Sequence, residues 1–331
     1  MNQAKSSSWQ RSLSFCLLGA IAIITIGAYF VSYYGWNIYL EILSHFQVQY
    51  LCVSLVLLGF LILLRRKNHI YIGLFLCAIL SLQTVTWFWF PSHLFTAGNG
   101  KSDLKVLVAN INTQNKNYDL VLDLIRAEKP NVAVLMEVDR QWQTQLDTLA
   151  DLLPYSSGKT NPYNLGILVY SDRSLDSTQI EFFGTENNAS VVTQITVSGE
   201  PVTLLATHPF PPVKPSFFSS RNQQMDLVGQ YLSTIATPII LAGDLNMTMW
   251  SPYYRRLVNK TGLNNTRKGF GILPSWATSG TYTQLPDWLI FALRIPIDHC
   301  LVSKEFRATD IHTGSETGSD HLPIVVDLQM V

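Results

Sequence analysis

Charge is what this 331-residue chain has least of. Asp, Glu, Lys and Arg make up 14% of it, against roughly 25% in an ordinary soluble chain, and the deficit sits at one end. Residues 1–100 hold one acid, Glu41, and five bases, Lys5, Arg11, Arg65, Arg66 and Lys67. That leaves 18 basic and 22 acidic residues in 101–331, a formal charge of −4 beneath an overall zero. The first third excludes a single soluble domain, and the remainder excludes a wholly intramembrane protein. A charge of −4 does not favour nucleic acid as a partner, although a local basic groove would still permit it. Cysteine is scarce too. Cys16, Cys52 and Cys77 lie in apolar runs and Cys300 stands alone in the polar part, so no disulfide can form within that part and the compartment is left open.

What fills the first third is apolar. The stretches 13–33, 48–64 and 70–90 each approach the ~20 residues that cross a bilayer core as a helix, the middle one being the shortest. Trp36 and Tyr39 after the first run, and Trp87 and Trp89 at the end of the third, fall where an interfacial aromatic belt belongs. A cleaved signal peptide is a weaker reading of the first run, because no small-x-small site follows it. Residues 1–91 therefore read as a membrane anchor of three transmembrane helices with the lipid bilayer as partner, 92–102 as a linker rich in Gly, Ser and Asn, and 103–331 as a catalytic domain. Arg65-Arg66-Lys67 makes the tight connection between the second and third runs the most basic spot, whereas Tyr34 to Gln47 has no Lys or Arg. The positive-inside rule puts that connection and the amino terminus in the cytoplasm, and the catalytic domain outside the cell (inner) membrane.

Beyond residue 103, short β-rich runs alternate with helical ones. Leu104–Ala109, Val132–Met136, Gly166–Tyr170, Val191–Val197, Val202–Ala206, Pro238–Ala242, Ile297–Val302 and Ile324–Leu328 are expected strands; Tyr118–Glu128 and Arg221–Ile235 have helical spacing. Several strands are apolar on both faces, which predicts a sheet covered on both sides and an α/β layered domain.

The residues that bear chemistry gather at the ends of these strands. Asn110 and Glu137 follow the first two, His208 follows Leu-Leu-Ala-Thr, and Asp244 and Asn246 sit in Gly-Asp-Leu-Asn. Asp298 opens Asp-His-Cys-Leu-Val, and Asp320-His321 precede the last strand. Singly, each reads as a turn or a solvated loop residue. As a set, Glu137, Asn110 and Asp320, with Asp244 and Asn246, offer hard oxygen donors suited to Mg²⁺ or Mn²⁺, and no Cys cluster or His-x-x-x-His points to zinc. Two histidines supply proton transfer or phosphate contact, and Asp298 is placed to orient one of them. Carboxylates, amides and imidazoles around a hard cation are what phosphate ester hydrolysis requires. His299 should point to the face opposite Asp298, as a packed or surface residue. His312 has no assigned part, and Asn112 is a weaker candidate than Asn110.

The ordered set Asn110, Glu137, Thr207-His208, Gly243-Asp244-Leu245-Asn246, Ile297-Asp298-His299 and Gly318-Ser319-Asp320-His321-Leu322-Pro323 resembles the endonuclease/exonuclease/phosphatase superfamily over essentially all of 103–331. The resemblance implies a four-layer αββα sandwich with the site at one edge of two sheets, and a hydrolase acting on phosphate esters, as a phosphatase, phosphodiesterase or nuclease. It implies Glu137 as the principal metal carboxylate with Asn110 and Asp320 beside it. Asp244 would activate water, with Asn246 holding phosphate or water and His208 stabilising the transition state; His321, paired with Asp298, would contact the phosphate or act as base. Three spans ahead of such a domain, and the run His208-Pro209-Phe210-Pro211-Pro212, are similar to a bacterial membrane-anchored branch. That branch implies a phosphate-containing substrate of the envelope, a lipid phosphate among the candidates; an extracytoplasmic nuclease is the alternative. The nuclease would need a basic, aromatic-rich surface beside the site, for which Tyr253, Tyr254, Arg255, Arg256, Lys260, Arg267 and Lys268 are the candidates. A catalytically dead scaffold is disfavoured, because no expected catalytic position is lost.

A reporter active only after export, fused after residue 331, is expected to be active, and a cytoplasm-only reporter there to be silent. Replacing Arg65, Arg66 and Lys67 with Gln should give mixed topology, read as signal from both reporters. The reverse pattern in the parent chain would put the site in the cytoplasm.

Overall fold

The computed structural model of the chain describes residues 8–85, 88, 102–184, 188–279 and 285–331. Lys5, Trp87, Trp89 and the expected linker up to residue 101 lie outside the described residues. The amino-terminal part is helical: α1 (Ser8–Tyr33), the short α2 (Ile38–Ser44), α3 (Gln47–Leu63) and α4 (Lys67–Thr84). Asn37 starts α2 by accepting the Leu40 N–H at 3.0 Å, a conventional N-cap.

Three membrane helices are expected, and among the described residues α1 alone is long and apolar enough to cross a membrane. α3 has 17 residues, and passes that test only when joined to α2 across a 64° bend. α4 opens on the polar Lys67-Asn68-His69, which dilutes its apolar character, and most of the third expected run beyond Val85 lies outside the described residues. The first expected run is thus a candidate span, the second is long enough only as one bent span with α2, and the described part of the third is not a candidate.

The remainder is built on two six-stranded sheets. The first runs β11 (Phe306–Thr313), β12 (Ile324–Met330), β1 (Leu104–Asn110), β2 (Val132–Met136), β4 (Ile167–Ser171), β3 (Tyr155–Lys159). The second runs β5 (Asp176–Glu181), β6 (Ser190–Val197), β7 (Glu200–Ala206), β8 (Ile239–Asp244), β10 (Asp298–Val302), β9 (Asn264–Asn265). Period-two alternation assigns each strand face to a layer. Val106, Val108, Leu204, Ala206, Ile240 and Ala242 pack between the sheets. Leu107 and Ala109 pack instead on α5 (Tyr118–Glu128) and α6 (Arg140–Leu146), whose Ile125 and Trp142 join their cluster. Leu205 and Leu241 pack on α7 (Pro215–Leu232) and α8 (Pro252–Thr261) through Val228 and Leu257. Helix, sheet, sheet, helix is the four-layer order that the alternation requires.

Strand direction then fixes the edge at which chemistry gathers. β1 and β2 are parallel, as are β7 and β8, so all four end at one edge. β12 runs antiparallel to β1 with Val108 opposite Ile324, and β10 antiparallel to β8 with Asp244 opposite Asp298. The beginnings of β10 and β12 therefore meet the ends of β1, β2, β7 and β8. Open α/β sheets commonly place their sites outside the carboxyl ends of parallel strands.

Gly243, one residue before the end of β8, has φ +149°, and a Cβ there would collide with the Thr207 carbonyl oxygen. Gly243→Ala is expected to lower stability by about 1–3 kcal/mol for the backbone conformation alone, with more for the clash. Thermal melts of the full chain check this; an unchanged midpoint would mean that the two strand ends are not so closely apposed.

Candidate active site

The eight residues expected to form the site converge on that edge. Asn110 is the hub: its amide nitrogen lies 2.9 Å from Glu137 Oε1, 3.3 Å from Asp244 Oδ2 and 3.4 Å from His321 Nε2. Its own oxygen accepts the Asn112 N–H at 3.2 Å. Glu137 sits just past β2 in a left-handed conformation, φ 60°, which is uncommon for a side chain of this size. The Gly166 carbonyl fixes it by accepting the Glu137 N–H at 2.7 Å. Asn246 is also left-handed, φ 49°, and its N–H donates to Asp244 Oδ1 at 2.9 Å, a local turn that holds the Asp-Leu-Asn loop. The Asn246 side chain donates to the Pro209 carbonyl at 3.0 Å, tying that loop to the residue after His208.

Asp298 and His321 form a buried pair, with Nδ1 2.9 Å from Oδ2. The other imidazole nitrogen looks toward Asp244 at 3.7 Å and Asp320 at 4.0 Å. Burial works against the protonated ring, but the charges of Asp298 and Asp244 outweigh it and raise the His321 pKa to about 10. Asp298 is held below the usual carboxylate range, because its burial is outweighed by His321, with help from Ser275 and the buried Arg267. His208 lies 3.6 Å from Glu137, and its Nδ1 is 3.2 Å from the Asp244 carbonyl oxygen. Here too burial is outweighed, by the hydrogen bond to Glu137 and the charge of Asp244, and the pKa rises to about 9. Asp244 goes the other way. Burial and the neighbouring Asp298 push its carboxyl up to about 6, against both imidazoles. Both imidazoles are thus biased toward their protonated form, while Asp244, unlike Asp298, is biased toward a proton as well, which suits it to exchange one.

Glu137 Oε2 is buried and has no hydrogen-bond partner among the described residues. A carboxylate oxygen left in that state calls for a cation, so the donor set fits a divalent metal, with Glu137 as its anchor. Asn110 would add its oxygen only with its amide turned over, since its nitrogen now faces the acids. Asp320 is pinned by Asn112 Nδ2 at 2.8 Å and Trp276 Nε1 at 3.2 Å, which leaves one further lone pair on each oxygen. Asp244, Asp298 and His321 also present ligand atoms within 4.8 Å of one another. These three residues are a second group whose donors a cation could bind, with His321 Nδ1 otherwise held by Asp298.

Asn112, the weaker candidate of the sequence, holds Asp320. Other supporting residues are absent from the set read off the sequence, among them Trp276, which also holds Asp320. Ser319 Oγ donates to the Asn110 carbonyl at 2.7 Å and accepts the His321 N–H at 3.2 Å. Arg221 donates to the Asn246 carbonyl at 2.7 Å. His299 is fully buried, with Nε2 donating to the Met247 carbonyl at 2.8 Å; burial and Arg267 press its pKa down to about 3, so it stays neutral. His312 pairs with Asp310 and Glu128.

The family described as Endonuclease/Exonuclease/phosphatase matches residues 107–321, more than half of the chain. The chain belongs to the endonuclease/exonuclease/phosphatase family. Members of this family are phosphoester hydrolases that typically use a divalent metal. Solved structures agree on the fold. The endonuclease/exonuclease/phosphatase from Beutenbergia cavernae DSM 12333 superposes with TM-score 0.57 at 20% identity, over 70% of this chain and 72% of that one. The human Nocturnin catalytic domain with bound sulfate anion gives 0.54 at 19%, over 70% and 94%. An AP endonuclease from Archaeoglobus fulgidus gives 0.53 at 13%, over 67% and 98%. No curated protein matches the chain.

Asp298→Asn is expected to lower kcat on the order of 10–100-fold, as loss of an orienting partner does, and to add nothing once His321 is Ala. The pair has a pH signature as well. His321 is raised, so its contribution is complete below roughly 6.5 and drains away as pH climbs to about 10. Asp298 is lowered, so its contribution fades only as pH falls below roughly 3.9. In metal-free buffer the melting deficit of Asp298→Asn should be widest between those limits and close on the alkaline side. Additive kinetics with a flat deficit would separate the two residues.

Proposed function

We propose that this protein is a membrane-anchored, divalent-metal-dependent phosphoesterase that works outside the cytoplasmic membrane. Its substrate on this reading is a phosphate ester, phosphodiester or pyrophosphate of an envelope lipid, with Mg²⁺ as the metal and Mn²⁺ as the substitute. The observation that carries the reading is the unpartnered buried oxygen of Glu137 in a cleft where His208 lies 3.6 Å from its other oxygen and both His208 and His321 lie 3.7 Å from Asp244. A divalent cation bound at Glu137 supplies charge neutralisation for the phosphoryl group. Asp244 takes the proton of the attacking water as the water oxygen bonds to phosphorus and the ester oxygen departs. His321 and His208 donate to the phosphoryl oxygens, where charge grows in the transition state. Asp298 holds the His321 ring, and Asn246, fixed by its αL turn, presents a polar group at the mouth of the loop.

Three passes through the bilayer are supported by the inside-out character of the amino-terminal helices. α1, α3 and α4 pack on one another, and their outward side chains are large and apolar, among them Ile23, Phe60, Leu63 and Phe75. Their polar groups turn inward: Gln83 Nε2 lies 3.1 Å from Ser32 Oγ and 3.3 Å from Gln47 Oε1. Contiguous exposed apolar surface around a polar seam suits lipid rather than water.

The basic stretch needed by a nuclease is placed elsewhere. Arg255, Arg256, Lys260 and Lys268 line a cavity of about 1540 Å³ whose other wall is Tyr29, Tyr33, Ile79 and Leu82 of the anchor. Among the described residues, no acidic residue and none of the eight site residues lines it, and Arg267 is buried beside His299. Cations gathered against apolar helices suit anionic headgroups at a bilayer surface, which favours a lipid phosphate over nucleic acid.

EDTA is expected to abolish hydrolysis by the full chain, and Glu137→Ala to abolish it at micromolar Mg²⁺ with partial recovery at millimolar. A panel of lipid phosphates, phosphodiesters and DNA checks the substrate class. Full activity of Glu137→Ala at micromolar Mg²⁺ would place the metal elsewhere, and cleavage of DNA alone would restore the nuclease.

A further inference from the structure

Glu41 is the one acid in the first hundred residues, and it is fully buried against the catalytic domain. Its Oε1 lies 3.1 Å from Arg221, and neither side chain is exposed. The same oxygen accepts the Ser251 hydroxyl at 2.8 Å. His45, one turn further along, lies 3.3 Å from Glu41 Oε2 and 3.1 Å from Thr248 Oγ1 through its other nitrogen. Asn246, Thr248 and Ser251 belong to one segment, the loop that leaves β8 immediately after Asp244.

From these contacts we infer that α2, the short helix between the first two apolar helices, is part of the active site, with Glu41 acting as a positioning residue for the Asp244–Asn246 loop through Arg221. The guanidinium that binds Glu41 also donates to the Asn246 carbonyl at 2.7 Å, where the backbone is left-handed. Arg221 is therefore a strut between the anchor and the loop that carries the base. Its charge is tolerable in the interior only with a carboxylate beside it. Burial, which would raise the Glu41 pKa, is outweighed by His45 and Arg221 and leaves it at about 2, so the carboxylate persists at any working pH. Ser251 caps α8 by accepting the Tyr253 N–H at 3.2 Å, so the same contact sets where the loop stops. Gly35 adds a steric reason for the fit: a Cβ there would come within 2.6 Å of Pro252 Cγ. Activity of the catalytic domain thus depends on the anchor for geometry as well as for location. The inference rests on the phosphoesterase reading for its kinetic readout and on the structure alone for its conformational one.

The test uses the full chain in nanodiscs, with bis(p-nitrophenyl) phosphate and Mg²⁺ as the probe. Glu41→Gln keeps the shape and removes the charge. It should lower kcat on the order of 10–100-fold with KM little changed, and speed amide exchange at 245–251 while 132–136 stays protected. Glu41→Asp should retain much of the rate. Arg221→Met should match Glu41→Gln, with the double variant no worse than either. Should Glu41→Gln not accumulate, Gly35→Ala lifts the same helix and should loosen the same segment. Unchanged exchange and rate, or exchange raised evenly through the domain, would overturn the inference. If the parent chain does not cleave the probe, the phosphoesterase reading fails there while the exchange pattern still decides the role of Glu41.

Discussion

Two carboxylates, Asp244 and Asp298, stand opposite one another on adjacent antiparallel strands, both buried, and the site is organised around making that pair tolerable. Like charges directly across a ladder repel even at a surface, and far more in an interior of low dielectric. The cleft separates their fates. Asp298 receives His321 at 2.9 Å and has the Arg267 charge nearby, so it stays ionised. Asp244 has its imidazoles at 3.7 Å and is left easy to protonate. One carboxylate is thereby a fixed counter-ion and the other a group that can exchange a proton near neutrality. The imidazolium of His321 follows from this division, since a ring between two acids keeps its second proton, and a cationic donor is what a phosphoryl oxygen needs.

How much of this is legible in the sequence depends on how many faces of each element are covered. The eight strands expected from apolar runs are the eight interior strands of the two sheets. The four that escape notice, β3, β5, β9 and β11, are the four edges. Tyr-Ser-Ser-Gly-Lys of β3 and Asp-Ser-Thr-Gln-Ile-Glu of β5 are mostly exposed or half-buried, so nothing selects for an apolar run, and polar edges guard against unwanted pairing. α7 starts at Pro215 rather than at Arg221, because Pro is favoured in the first turn, where its missing N–H costs nothing. Site residues that end interior strands inherit the legibility of those strands, which is why Asn110, Glu137, His208, Asp244, Asp298 and His321 stand out. Their supports do not. Trp276, Ser319 and Arg221 reach the cleft from loops or from the inner face of a helix, where no period marks them, and Asn112 shows only as a weaker neighbour of Asn110. Glu41 alone carried a signal, that of an acid in a tract otherwise free of them.

The contact between α2 and the catalytic domain also constrains the membrane arrangement by parity. Glu41 and His45 touch Arg221, Thr248 and Ser251, so the end of α1 and the domain share one side of any bilayer that α1 crosses. The chain that leaves α2 returns to the same domain, where the Gly271 N–H donates to the Phe88 carbonyl at 2.7 Å. Between those points it can cross an even number of times only. α3 and α4 therefore either both span or both stay on the domain side, whatever the length and hydropathy of each. If both stayed, Arg65, Arg66 and Lys67 at their connection would lie on the domain side with the apolar flanks of two helices beside them in water. Were both to cross, those flanks would be buried in lipid and the three cations would lie on the face opposite the domain. On either arrangement the connection of α1 to α3 stays on the domain side, because its one acid, Glu41, is held there by Arg221, His45 and Ser251 together.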